Sequence, residues 1–271
     1  MRRAAILLRE QEIPDAARDV RILMAEAMGI ARDRVMLEQA ADLTPEARIR
    51  FENFVTSRKA REPVSRIIGR RNFYGRDFKV TPYVLDPRPE TEGLIELALS
   101  EPFGTCLDLG TGSGCIALTL LAERPGVSAL ATDISPEALA TARANAAMLG
   151  VQERVRLEVS DWFSAVDGLF DVILSNPPYI DPSEQTALAP EVAHFDPQIA
   201  LFGTEDGLSS YRAIADQALA YLGPRGRLIV EIGPTQGRAV MALFRGAGLE
   251  DVACHTDLDG RDRVISARAA G

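Results

Sequence analysis

The sequence is short of the residue types that build metal centres, disulfide frameworks and membrane spans. Three cysteines occur in 271 residues, Cys106, Cys115 and Cys254, and no two stand in CxxC spacing. Histidine is scarcer still, at His194 and His255. Such a chain offers neither the ligand set of a zinc site nor the paired thiols of a small secreted scaffold, so no metal is expected. Long apolar runs are missing too. The opening MRRAAILLREQE sets two arginines before a short apolar patch, but Arg9, Glu10 and Glu12 interrupt it too soon for a signal peptide. No later run reaches the roughly 18 apolar residues of a membrane-helix candidate. A cytoplasmic protein with no membrane partner is the expectation. The chain also has no internal repeat and no low-complexity segment.

What is present is ordinary globular material, with 46% hydrophobic and 25% charged residues, enough for one sizeable domain and a smaller one. Charge is divided unevenly. Residues 1–85 carry 17 Lys and Arg against 12 Asp and Glu, a net of +5, while residues 86–271 carry 13 against 27, a net of −14. The mildly basic first third suits either solvated helix faces or a docking surface for an acidic or RNA-bound partner. The acidic remainder argues against stable binding to duplex DNA, whose affinity depends on neutralising phosphates.

Periodicity divides the chain into three regions: helical 1–64, a connector 65–87, and a larger domain 88–271. In the first, residues 15–28 place Ala17, Val20, Leu23 and Ala27 at helical spacing, with Gly29 as a stop. A second helix is expected around 32–39. A third begins at Thr44-Pro45-Glu46, which supplies an N-cap, a proline at the first helical position and acidic charge in the first turn. In the connector, Ile67, Ile68, Phe73, Tyr74, Phe78 and Val80 favour strands, and Gly69 and Gly75 suggest a β-hairpin. A helix is expected at 92–100. Thereafter strands (105–109, 128–132, 155–159, 170–174, 227–232) alternate with helices (116–123, 135–149, 209–222, 235–247). That rhythm predicts an α/β fold with a doubly wound, mostly parallel sheet. Strands at 252–255 and 264–267 close it as an antiparallel pair.

Candidate chemistry gathers at the ends of these strands. Asp108-Leu109-Gly110-Thr111-Gly112-Ser113-Gly114 follows the first strand and opens a helix, so its backbone can approach a ligand closely. The spacing is Gly-x-Gly-x-Gly, not the Gly-x-Gly-x-x-Gly of dinucleotide sites, which disfavours a nicotinamide oxidoreductase. Asp133 ends the second strand about 20 residues on, where a carboxylate can accept ribose hydroxyls or cap the next helix. Asp161-Trp162 follows the third strand. There a carboxylate could accept from an exocyclic amine while an indole lies on the base, or Trp162 could be core. Asn176-Pro177-Pro178-Tyr179 follows the fourth. Its prolines lack N–H groups and cannot extend a ladder, so the chain leaves the sheet as a stiff loop with outward carbonyls beside an asparagine amide. Such acceptors suit a planar NH2 group, whether an amide or an adenine.

Taken together these residues resemble class I S-adenosylmethionine-dependent methyltransferases, and within them the protein-(glutamine-N5) methyltransferases that modify peptide-chain release factors. The resemblance covers nearly the whole chain, including Pro87-Arg88-Pro89-Glu90-Thr91-Glu92, the glycine turn, Asp133, Asp161-Trp162, Asn176-Pro177-Pro178-Tyr179 and Asp196-Pro197-Gln198. Asp86 departs from an aliphatic residue usual in that family, and Asp196 from a commoner Glu. The resemblance implies a seven-stranded Rossmann-like methyltransferase sheet, S-adenosyl-L-methionine as cofactor, and class I release factors, modified at the glutamine of a Gly-Gly-Gln motif, as substrate. It further implies docking of the release factor on residues 1–64. Cofactor binding falls to Asp108, Gly110 through Gly114, Asp133, Asp161, Trp162 and Asn176. Substrate binding falls to Arg88, Glu90, Asn176, Pro177, Pro178 and Tyr179; within that set the Asn176 and Pro177 oxygens accept the glutamine NH2 and Tyr179 packs on the flat amide. Adenine-N6 methylation of nucleic acid is the alternative, because a flipped adenine presents a similar NH2.

Overall fold

The structure, a computed structural model, describes residues 1–37, 43–204 and 206–271. They form two compact units: Met1–Arg70 with Ala189–Phe195, and Arg71–Leu188 with Asp196–Gly271. No helix among the described residues is long and apolar enough to cross a membrane.

The first unit is helical, with α1 (Arg2–Arg9), α2 (Ala16–Met28), α3 (Pro45–Lys59) and α4 (Val64–Ile68). Their apolar faces bury a common cluster that includes Leu8, Val20, Leu23, Phe51 and Val55. Thr44 caps α3 as its sequence predicts, its Oγ1 accepting the Ala47 N–H at 3.2 Å. The helix expected at 32–39 is instead a single 3-10 turn, Arg34–Met36; residues 38 and 39 lie outside the described residues. A second correction concerns Ile67 and Ile68, expected in a strand and found in α4. Gly69, at φ 73°, ends that helix, and Val64, Ile67 and Ile68 pack on the helical cluster. Burial overrides the β preference of the isoleucines. Arg58, 5% exposed, is met by Asp19 at 2.8 Å and by Glu191, on the short helix Pro190–Phe195, at 3.0 Å. Glu191 also pairs with Arg61 at 2.9 Å; burial raises its carboxyl, but a hydrogen bond from its own backbone N–H together with the two arginines holds it below its usual range.

The hairpin is shorter than the connector suggested: β1 (Arg70–Phe73) and β2 (Arg76–Lys79) pair as a two-stranded sheet. Tyr74 and Gly75 turn between them, both at positive φ.

The larger unit follows the expected alternation. After α5 (Glu92–Leu99) come β3 (Thr105–Leu109), α6 (Cys115–Glu123), β4 (Ser128–Asp133), α7 (Pro136–Leu149), β5 (Val155–Val159) and β6 (Phe170–Ser175). The helix already met at Pro190–Phe195 is α8. Then follow α9 (Gln198–Leu201), α10 (Ser209–Tyr221), β7 (Leu222–Glu231), α11 (Gly237–Gly246), β8 (Glu250–Thr256) and β9 (Asp262–Arg268). The seven-stranded sheet runs in the order β5-β4-β3-β6-β7-β9-β8, with β9 antiparallel to both neighbours and the other pairs parallel. Alternate residues of each central strand enter opposite cores. Cys106, Val172, Leu174 and Ile229 join the cluster with α5 and α6, while Leu107, Ile173, Leu228 and Val230 join the one with α10 and α11. Both faces being covered, these strands are apolar almost throughout. The short helix α9 and a 3-10 segment at Pro182–Ala187 have no counterpart in the expected elements, being too short to show a period.

Candidate active site

Strand order reverses beside β3, since the chain moves outward to β4 and β5 and then returns to β6 on the other side. Such a reversal leaves a crevice beyond the carboxyl ends of the strands. Ser175, the last residue of β6, donates its hydroxyl to the Leu109 carbonyl at 2.8 Å and clamps the two strand ends together. Here lies a cavity of about 490 Å3, whose walls come from every strand-end loop singled out in the sequence.

The glycine turn forms its floor. Gly110 and Gly112 have φ of 71° and 56°, and a Cβ on either would meet no protein atom within 4 Å. Both residues line the cavity with Thr111 and Ser113, so the backbone there is bare toward the space a ligand would fill. Gly114 serves a different end. It is absent from the wall, and a Cβ there would stand 2.7 Å from Leu118 Cδ1. Asp108 is also beneath the turn instead of in the wall. It is fully buried, accepts the Thr111 hydroxyl at 2.6 Å and the Ala117 N–H at 3.3 Å, and leaves Oδ1 without a partner among the described residues. Burial pushes its carboxyl up to about 6. Asp108 therefore shapes the turn from below.

Asp133 reaches the cavity from the end of β4. Its two oxygens accept the Gly112 N–H at 2.8 Å and the Ser135 N–H at 2.9 Å. The capping of α7 falls to Ser135, whose hydroxyl accepts the Ala138 N–H at 3.1 Å. Asp133 is thus tied to the glycine turn and keeps acceptor capacity toward the cavity, since a carboxylate oxygen has two lone-pair sites. Burial raises its carboxyl, against the lowering effect of those N–H groups.

Asp161 and Trp162 line a further wall. Trp162 adopts φ 49°, a left-handed conformation that bulky residues seldom occupy. The Ser160 hydroxyl holds it there, donating to the Trp162 carbonyl at 2.8 Å and accepting the Ala165 N–H at 3.0 Å. The next side chain, Phe163, goes into the core and stacks on Tyr221 at 4.8 Å. Trp162 is half-buried against the same core and also lines the cavity, so it serves both, while Phe163 lies wholly in the core.

From the end of β6, Asn176 and Pro178 line the cavity, while Pro177 is buried between them and outside its wall. The loop is pinned downstream. Ser210 donates to the Pro178 carbonyl at 3.0 Å and Gln236 Nε2 to the Tyr179 carbonyl at 2.9 Å. Among the described residues no donor is bonded to the Pro177 carbonyl. Tyr179 also lies outside the wall and packs on the α10–α11 core. Burial pushes its phenol up to about 12, so it stays neutral. Arg88 lines the cavity and ion-pairs with buried Asp196, which also accepts the Asp86 N–H at 3.4 Å. Glu90 is exposed and outside the wall.

Several supporting residues have no local signature in the sequence. Asn145, fully buried on α7, donates to the carbonyls of Ser113 at 2.8 Å and Lys79 at 3.1 Å and accepts the Lys79 N–H at 2.8 Å. It ties the glycine turn to the chain leaving the hairpin. Thr91, Glu231 and Tyr211 form a buried polar group behind Asn176. The apolar face at Tyr83, Val84, Leu85 and Ile199 completes the cavity.

Bare positive-φ glycines, an acceptor carboxylate bonded to their turn and an indole beside them fit a nucleoside ligand, and Asn176 brings an amide to the same space. Comparison with known proteins agrees with this geometry. Residues 89–194 match the Methyltransferase small domain and residues 1–69 the PrmC N-terminal domain. A methyltransferase from Pyrococcus furiosus superposes with a TM-score of 0.56 at 17% identity, covering 81% of this chain and 98% of that one, which speaks for the fold. Release factor glutamine methyltransferases are far more similar in sequence: that of Rhodospirillum rubrum is 45% identical, over 99% of this chain and 84% of its own length. The one from Cereibacter sphaeroides is 57% identical, over 99% of this chain and 96% of its own length. At that identity and coverage, the chain belongs to the release factor glutamine methyltransferase family.

Proposed function

We propose that the chain transfers a methyl group from S-adenosylmethionine to the side-chain nitrogen of the glutamine in the Gly-Gly-Gln motif of class I peptide-chain release factors. The observation that carries this reading is the single cavity shared by the Asn176 side chain and the glycine turn with Asp133 and Trp162. On this reading Gly110, Thr111, Gly112 and Ser113 face the cofactor with backbone, Asp133 accepts its ribose hydroxyls, and Asp161 and Trp162 hold its base. Asp108 and Gly114 hold the turn in shape. When bound, S-adenosylmethionine supplies a methyl group on a positively charged sulfur, an electrophile that needs no metal.

The remaining task for the protein is to present a poor nucleophile. An amide nitrogen shares its lone pair with its carbonyl, so orientation and electron density at nitrogen decide the rate. Asn176 Oδ1 and the Pro177 carbonyl are the proposed acceptors for the two N–H bonds of the glutamine. Tyr179, neutral and fixed through its carbonyl by Gln236, stands behind the wall, and on this reading it stiffens the acceptor loop instead of packing on the amide. Arg88, anchored on Asp196, and Glu90 are assigned to the substrate side, and residues 1–64 to docking of the release factor. The product nitrogen sheds its extra proton to these acceptors or to water, so no dedicated base is required.

Incubation of the chain with S-adenosylmethionine and a class I release factor, followed by mass spectrometry of the Gly-Gly-Gln peptide, should show one added methyl group on the glutamine. An unmodified peptide together with methylated adenine in an added oligonucleotide would replace this reading with the nucleic-acid one.

A further inference from the structure

Behind Asn176 stands a buried polar chain that the proposed acceptor role does not by itself require. Asn176 Nδ2 donates to Thr91 Oγ1 at 3.2 Å, and the Thr91 hydroxyl donates to Glu231 Oε2 at 2.6 Å. Thr91 is 2% exposed and Glu231 1%. Glu231 is placed by its own backbone, whose carbonyl accepts the Tyr211 hydroxyl at 2.9 Å. A carboxylate buried so completely is costly to keep unless it is given hydrogen bonds, and its presence behind an amide calls for a physical account.

A threonine hydroxyl carries one proton. When that proton is given to an ionised Glu231, the only thing Thr91 can offer Asn176 is a lone pair. The Asn176 amide must then turn its NH2 toward Thr91, which leaves Oδ1 on its other side. We propose that Glu231 and Thr91 are positioning residues that fix the polarity of the Asn176 amide, so that its oxygen, and not its NH2, meets the substrate's NH2 group. The inference rests on the acceptor role proposed above and adds the reason an asparagine, whose two ends are nearly equal in shape, is held one way round. With Glu231 protonated the carboxyl can donate to Thr91, the threonine proton becomes available to Asn176 Oδ1, and the reversed amide would present donors to a donor. The charged and titratable groups around Glu231 are Arg263 on β9, Arg88 and Glu90 before α5, Tyr179 after β6, Tyr211 on α10 and Cys115 on α6.

The test uses the full chain with Thr91→Val, which keeps the shape and removes the hydroxyl, with Thr91→Ser, which restores it, and with Glu231→Gln. Thr91→Val is expected to lower kcat on the release factor by about tenfold or more, with KM and the cofactor Kd near those of the unaltered chain, and Thr91→Ser to recover most of the loss. Glu231→Gln should lower kcat in the same way and remove the fall in activity toward acid. A readout independent of substrate is the side-chain NH2 resonance pair of Asn176 in NMR, assigned by its loss in Asn176→Asp. One proton of that pair should be protected from exchange in the unaltered chain and unprotected in Thr91→Val. Unchanged protection, a full kcat in Thr91→Val, or equal impairment of the Val and Ser variants would overturn the proposal. Should Thr91→Val fail to fold, Glu231→Gln and the Asn176 resonances carry the same decision. If the unaltered chain transfers no methyl group to the release factor, the functional reading fails while the resonances still decide the relay.

Discussion

Asp133 Oδ2 accepts the Gly112 N–H at 2.8 Å, which joins the end of β4 to the turn after β3. One carboxylate thus shapes the cradle and faces the cavity it encloses. Asp133→Ala removes both contributions. Loss of a charged acceptor costs on the order of 1–3 kcal/mol, about 5- to 150-fold in affinity. Calorimetric titration with S-adenosylmethionine should show that weakening, and an unchanged Kd would argue against the ribose role.

The glycines of the turn should separate by their surroundings. Gly112→Ala places a methyl group toward the cavity, with strain of about 1–2 kcal/mol from its positive φ. Gly114→Ala adds to similar strain a clash with Leu118, whose Cδ1 would lie 2.7 Å from the new Cβ. Melting temperatures should fall further for Gly114→Ala than for Gly112→Ala. Cofactor affinity, measured on the folded fraction, should be hurt more by Gly112→Ala.

Asn145→Leu keeps the volume and removes three hydrogen bonds to Ser113 and Lys79. Each buried backbone group left unpaired costs about 1–3 kcal/mol. Urea denaturation should show a midpoint clearly below that of the unaltered chain, and an equal midpoint would mean that water replaces the amide.

Asp108 and Glu231 are both fully buried, and burial raises their carboxyls to about 6 and about 7. The sign follows from linkage. Between the ordinary carboxylate range near pH 4 and these raised values the folded chain holds more protons than the unfolded one, so their contribution to stability falls as pH rises. Below pH 4 both states are protonated and this contribution is complete. Asp108→Asn should therefore flatten the decline in stability between about pH 4 and 6, seen in melting temperatures across that window. Activity should respond oppositely at Glu231: its ionised form holds Thr91 as a lone-pair donor to Asn176, so kcat should fall as pH drops below about 7.

Much of this arrangement was legible in the sequence where the signal is local. Strands β3 and β5 begin and end at the expected residues: β3 is a buried, mostly apolar run between Gly104 and Gly110, and β5, at the sheet edge, alternates apolar and charged residues. The glycine turn, Asp133, Asp161, Trp162 and Asn176 were legible as strand-end residues, and topology brings those ends to one cavity. What sequence periodicity does not carry is contact between distant residues. Ile67 and Ile68 favour strands locally, but the helical cluster they join is built from residues far away in the chain. Asn145 occupies an ordinary position in an alanine-rich helix, and its partner Lys79 is 66 residues away. Thr91 and Glu231 stand 140 residues apart, so nothing near either announces the pair. Pro177 and Tyr179 adjoin lining residues yet stand behind the wall, because Asn176 and Pro178 take the alternate positions that face the cavity, and Asp108 is turned beneath the glycine turn by its bonds to Thr111 and Ala117.

The central claim is that Asn176 presents an acceptor to the substrate's NH2 group in a site that holds the cofactor separately. Transfer of labelled methyl from S-adenosylmethionine to an intact class I release factor should fall by at least about 100-fold in Asn176→Ala, by analogy with loss of one preorganised polar contact to a reacting group, while the cofactor Kd from calorimetry stays within about threefold. Near-normal transfer by Asn176→Ala, or a loss of transfer matched by an equal loss of cofactor binding, would contradict the account.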